Sequence, residues 1–151
     1  ADYLEHRDAS VASRKSVALI AMLQCTSPFT RSTELLAGFE MIRNGFDSAF
    51  IGLENHYWLY GQGAEGWLVP DGHSLSFRPS RQLVPARYHE TGAAYFFTAE
   101  GFLSSQFRVN GRIGCVVTDT YGSVDVDEQK DLLEARALVG SFEASKNAQE
   151  T

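Results

Sequence analysis

The chain has 151 residues, 44% of them apolar, and a net charge of -6 from 13 basic and 19 acidic side chains. That length supports one domain around a single core. The acidic balance argues against broad binding of nucleic acid, which needs a basic face, while leaving room for a small anionic ligand held by local arginines.

The longest apolar run, Val17–Leu23, is far too short to cross a bilayer. No secretory signal is visible. The expectation is a cytoplasmic protein that does not bind membranes. Cys25 and Cys115 lie far apart in apolar surroundings and are expected as two buried, reduced thiols. His6, His56, His73 and His89 show no paired zinc spacing.

Asp2–Lys15 is polar, and a loose helix or arm is expected over residues 1–15. Ser16–Gln24 reads as a strand buried on both faces, as in a parallel sheet. CTSPFTR, Cys25–Arg31, is a loop broken by Pro28. Ser32–Arg43 is an amphipathic helix with Leu35, Leu36, Phe39 and Ile42 as its apolar stripe and Ser32 as its N-cap. Asn44 and Gly45 end it. Phe46–Leu53 is a second strand, which makes a βαβ unit.

Residues 54–87 change character. Tyr57, Trp58, Tyr60, Trp67 and Phe77 sit among glycines and prolines. This reads as an antiparallel excursion whose aromatics need a partner surface. Strands follow at Ala93–Phe97 and Gly114–Thr118, with a short helix at Thr98–Ser105. Val124–Val126 is extended. The last helix is Glu128–Phe142, with Asp127 as N-cap and Leu132, Leu133, Ala135, Ala137 and Leu138 facing inward. Ala144–Thr151 reads as a frayed polar tail.

The chemistry centres on SVDVDEQKD, Ser123–Asp131. Asp125 and Asp127 are two apart, so an extended backbone projects both carboxylates from one face. Two hard oxygen ligands at a strand end suit a magnesium ion that also grips phosphates. The same pair can instead cap the final helix.

LQCTSP (Leu23–Pro28), the Phe46–Phe50 strand, SRQLVP (Ser80–Pro85), YHETGAAYF (Tyr88–Phe96) and SVDVDEQKDL (Ser123–Leu132) occur in this order. In that order the chain resembles the acylneuraminate cytidylyltransferases, from about Val17 to Leu138. The resemblance implies a Rossmann-like nucleotidyltransferase domain, a three-layer α/β sandwich spanning residues 1–151, with residues 54–87 as a dimerisation excursion. It implies joining CTP to a nonulosonic acid, releasing pyrophosphate, in a bacterial surface-glycan setting. By the same resemblance Gln24, Thr26, Ser27, Arg81 and Tyr95 bind substrate. Asp125 and Asp127 hold Mg²⁺, with Asp127 catalytic.

Cys25 stands where the family has proline, Thr91 where it has asparagine, and Leu59 near a position usually basic. No glycine-, arginine- and lysine-bearing CTP loop precedes Val17. A truncated domain with little or no turnover of its own is therefore expected. Three readings stay open: an enzyme lineage, a sugar-acid-binding module, and a structural homodimer.

Overall fold

The computed structural model describes residues 18–149. The arm expected over 1–15 lies outside them. Two compact units emerge, one from residues up to Leu53 together with those from Glu90 onward, the other from Glu54–His89.

In the larger unit, strand β1 (Leu19–Leu23) pairs antiparallel with β5 (Arg87–Thr98), Leu23 lying opposite Ala94. Strand β2 (Ser48–Asn55) pairs parallel with β6 (Ile113–Thr118). The order across the sheet is β1-β5-β2-β6. Three helices complete the described part: α1 (Ser32–Arg43), α2 (Ala99–Ser105) and α3 (Gln129–Gln149).

The five residues Ala93–Phe97 of β5 are all buried. Successive strand side chains point to opposite faces, so burial of five in a row requires cover on both. Helix α1 lies on the Phe96 side, where Phe39 meets Phe96 edge-on at 5.4 Å. Helix α2 lies on the other, where Phe102 meets Phe97 at 5.4 Å. Helix, sheet and helix make the expected three-layer α/β sandwich. Ile42, Ala49, Ile51, Ala94, Phe96 and Val116 form the main core.

Several sequence expectations need correction. The apolar run of β1 predicts parallel neighbours and two-sided burial; the strand pairs antiparallel and is only half-buried, with Leu23 exposed. The two-sided burial belongs to β5, which sits between β1 and β2. An apolar run records burial and not the direction of the neighbouring strand.

In α1 the buried residues are Glu34, Gly38 and Ile42, while Leu36 is 64% exposed. The buried face follows an i, i+4, i+8 row centred on Gly38, where the absence of a side chain admits the Phe96 ring. The N-cap of α1 is Arg31, not Ser32. Its amide donates to the Glu34 carboxylate at 2.8 Å, one arm of a capping box.

In α3 the buried residues are Ala135 and Phe142, with Leu138 packed beside them. Leu133 is exposed, as is Ala137. The helix runs on to Gln149, through most of the expected tail. Val124–Val126 forms no strand. It leaves a 3-10 turn, Tyr121–Ser123, and packs its valines against Phe29, Ala135 and Phe142 as a second core. Cys25 is exposed and Cys115 half-buried, against the expected burial of both. Cys25 lies past the end of β1, and Cys115 lies on a strand at the sheet's margin.

The smaller unit is built on a two-stranded antiparallel ribbon, β3 (Leu59–Gln62) with β4 (Leu68–Asp71). The His73 ring meets both Trp58 and Tyr60 edge-on at 4.9 Å. Arg87 closes on Asp71 at 2.9 Å. Trp67, Leu68, Leu75 and Phe77 remain largely exposed.

A Cβ at position 38 would overlap the Phe96 ring. Gly38→Ala is therefore expected to lose about 1–3 kcal/mol through overpacking, despite alanine's better helix propensity. Urea denaturation measures this, and an unchanged or raised midpoint would contradict the packing described.

Candidate functional site

Strand β1 ends at Leu23, opposite Ala94 near the start of β5's buried stretch. Strand β6 ends at Thr118, opposite Leu53 of β2. Two segments leave these carboxyl ends, Gln24–Arg31 and Asp119–Glu128. Ligands of open α/β sheets bind at such strand ends.

The two segments are joined by the Val126 amide donating to the Thr26 carbonyl at 2.9 Å. Beside them is Gly92 of β5, in the left-handed region at φ +84°. A Cβ at Gly92 would come within 4.0 Å of Asp125 Oδ2. The Gln24 amide donates to the Ala93 carbonyl at 3.0 Å.

The Thr26 and Ser27 hydroxyls and Asp125 Oδ1 are buried without a hydrogen-bond partner among the described residues. Buried polar atoms are normally paired, because leaving one unpaired costs about 1–3 kcal/mol. Three such atoms lie on two segments tied by one backbone bond.

Asp125 also lines an open cleft of about 590 Å³ with Thr120, Tyr121, Ser123, Val124, Glu134 and Leu138. Gln24 and Tyr95 do not line it. Gln24 is exposed at the end of β1. Tyr95 is 3% exposed. Its hydroxyl donates to Glu90 at 2.7 Å and accepts from Arg108 at 3.4 Å. The Arg108 guanidinium lies 4.2 Å from the Tyr95 ring centre. Burial first, then the bond to Glu90, raises the Tyr95 phenol above its ordinary range. Arg81 belongs to a 3-10 turn, Arg81–Leu83, in the smaller unit. Of the expected site residues only Asp125 lines the cleft, and Thr26 is tied through its carbonyl to the neighbouring Val126.

Asp127 is exposed and is not the cap of α3. Asp131, the third residue of α3, reaches back instead, its Oδ2 accepting the Glu128 amide at 2.8 Å and the Asp127 amide at 3.1 Å. The Asp127 carboxylate is left outside these bonds. Asp125 and Asp127 offer hard oxygen donors of the kind magnesium takes. No cluster of three or more His, Cys, Asp or Glu side chains suited to a metal occurs among the described residues. The two carboxylates differ in setting, Asp125 being half-buried and Asp127 exposed.

Sequence reading missed an ionic cluster here. Arg31 donates to Asp119 Oδ2 at 2.6 Å and to Glu34 Oε1 at 3.1 Å. The Thr118 hydroxyl donates to buried Glu34. Asp119 Oδ1 accepts the Tyr121 and Gly122 amides at 3.0 and 3.2 Å. The Arg31 guanidinium also lies 5.0 Å from the Phe142 ring centre. Burial opposes charge on Arg31, but Asp119 and Glu34 outweigh it and hold the guanidinium more firmly protonated than usual. Glu34 at the third helical position was the one legible signal.

No protein-family model matches the chain, and no curated protein sequence does. Among solved structures, the fold is similar to that of 4-diphosphocytidyl-2C-methyl-D-erythritol synthase from Anaerococcus prevotii DSM 20548. The TM-score is 0.56 at 15% identity, over 85% of this chain and 62% of that one. The chain thus spans under two thirds of that protein's length. The likeness is one of fold.

Burial works to raise the Asp119 carboxyl, but the Arg31 bond and the Gly122 amide hold it below its ordinary 3.8. Its contribution to stability is present above that value and lost as pH falls through the lower folded value. Asp119→Asn is expected to lower the urea midpoint at pH 7 and to weaken its decline below pH 4. Equal midpoints for parent and variant at pH 7 would contradict this.

Proposed function

We propose that this chain carries the sugar-acid side of a cytidylyltransferase-type site, in the lineage of the CMP-sugar-acid synthetases. The three unpartnered polar atoms of Thr26, Ser27 and Asp125 carry the reading. They lie on the segment leaving β1 and the segment leading into α3, where the sequence resembles that family. The cytidylyltransferase-type fold supports the same reading.

In the proposed reaction the sugar's anomeric hydroxyl gives up its proton to solvent as its oxygen bonds to the α-phosphorus of CTP. The bond from that phosphorus to the bridging oxygen breaks, and pyrophosphate leaves. The Thr26 and Ser27 hydroxyls hydrogen-bond and orient the sugar acid. Asp125 and Asp127 are the groups that would hold Mg²⁺, with Asp127 the one open to solvent. When bound, that ion neutralises charge developing on the phosphates.

A second reading, a sugar-acid-binding module without turnover, is favoured by Arg31. This basic residue is already held by Glu34 and Asp119 and does not offer its charge to a triphosphate. Little or no turnover is expected from the chain alone. A homodimer is part of the proposal, because Trp67, Leu68, Leu75 and Phe77 leave apolar surface exposed. A monomeric mass by sedimentation in dilute solution would remove that part.

Binding is tested by thermal shift with a CMP-nonulosonic acid, the free sugar acid, and CTP with Mg²⁺. At a hundredfold excess over Kd the expected rise is about 5–10 °C. Asp125→Ala should abolish it. Absence of any shift with all three would defeat the proposal, and a measured release of pyrophosphate would select the catalytic reading over the binding one.

A further inference from the structure

Strands β1 and β6 lie at opposite margins of the sheet, with β5 and β2 between them. At about 4.8 Å per strand spacing, their ends are roughly 14 Å apart. No backbone ladder ties the segment leaving one to the segment leaving the other. Yet Thr26 and Ser27 lie on the first, Asp125 on the second, and a ligand held by both needs that separation fixed.

One main-chain bond and one side-chain ion pair tie the two segments. The Thr26–Val126 bond joins one pair of ends, and Arg31–Asp119 joins the other at 2.6 Å. Between them the Phe29 ring meets Tyr121 at 6.2 Å. Asp119 uses its second oxygen to fold the turn through Tyr121 and Gly122 that leads to Asp125. Arg31 is anchored in turn by Glu34 at the start of α1.

We propose that Arg31 and Asp119 are positioning residues: their ion pair clasps the segment leaving β1 to the segment leaving β6. The pair thereby sets the placement of Asp125 against Thr26 and Ser27. This rests on the ligand reading above only for its consequence for binding. The clasp itself is a property of the free chain.

Asp119→Asn is the informative variant. Its amide oxygen can still accept the Tyr121 and Gly122 amides, so the turn is retained while the charge facing Arg31 is removed. Arg31→Lys is the second variant, because an ammonium cannot reproduce the fork that spans Asp119 and Glu34. The direct measurement is hydrogen exchange by NMR at the Val126 amide, compared with amides of Ile51 and Val116 in the core strands.

In Asp119→Asn, exchange at the Val126 amide is expected to accelerate at least about tenfold more than at the core amides, which rise only by the factor that the lowered urea midpoint implies. Arg31→Lys should fall between parent and Asp119→Asn. A Val126 amide as protected in both variants as in the parent overturns the proposal. So does a uniform loss at Val126, Ile51 and Val116, which is general destabilisation.

The second readout is affinity for a CMP-nonulosonic acid, at a temperature where circular dichroism shows the variants folded. A loss of about tenfold or more is expected. Parent binding with unchanged variant affinity also overturns the positioning role. If the parent itself does not bind, the ligand reading fails, and the exchange result still decides the clasp.

Discussion

The ring of Phe96 against the bare backbone of Gly38 is the contact on which the rest of the larger unit depends. Phe96 is fully buried near the carboxyl end of β5, and no other residue type at position 38 leaves space for it. The contact sets how closely α1 approaches the sheet. Helix α1 is the continuation of the segment that carries Thr26 and Ser27, and β5 is the strand that carries Gly92. One close approach in the core therefore fixes where both arrive. The cost of such packing is intolerance of volume change, and the benefit is a site held on rigid elements.

Much of this was legible in sequence because it is local. Ser32–Arg43 shows helical periodicity and ends at Asn44–Gly45, and the helix occupies that range with Gly45 at φ +92°. Thr98 reads as the start of a short helix, and its hydroxyl accepts the Gly101 amide at 3.0 Å. Turn chemistry, capping and periodicity are written within a few residues of where they act. The ordered motifs point to a nucleotidyltransferase-type fold, which is the fold observed.

What was not legible is what depends on distant partners. The half-burial of β1 follows from β5 pairing antiparallel beside it, and an apolar run is silent about its neighbours. Asp127 and Asp131 both suit a helix start by residue type, and only the backbone path decides that Asp131 takes the free amides. Arg31 and Asp119 stand 88 residues apart. Each reads alone as an ordinary surface charge. Arg108 over Tyr95 is similar: the family resemblance turns the tyrosine toward a ligand, and the guanidinium covering its ring has no sequence signature. Charge pairing across a fold is a fact of topology, and a sequence carries topology only in outline.

Gly92 has a consequence for how this chain can change over time. Every single-base change in the first or second position of a glycine codon either adds a side chain or stops translation. Any side chain there meets a backbone angle that L-residues rarely adopt, and its Cβ would stand in contact with the Asp125 carboxylate. Genetic drift at this codon is thus opposed by backbone strain. The neighbouring Thr91 and Ala93 are held differently, by a hydroxyl bond to the Ile51 carbonyl and by burial in the core.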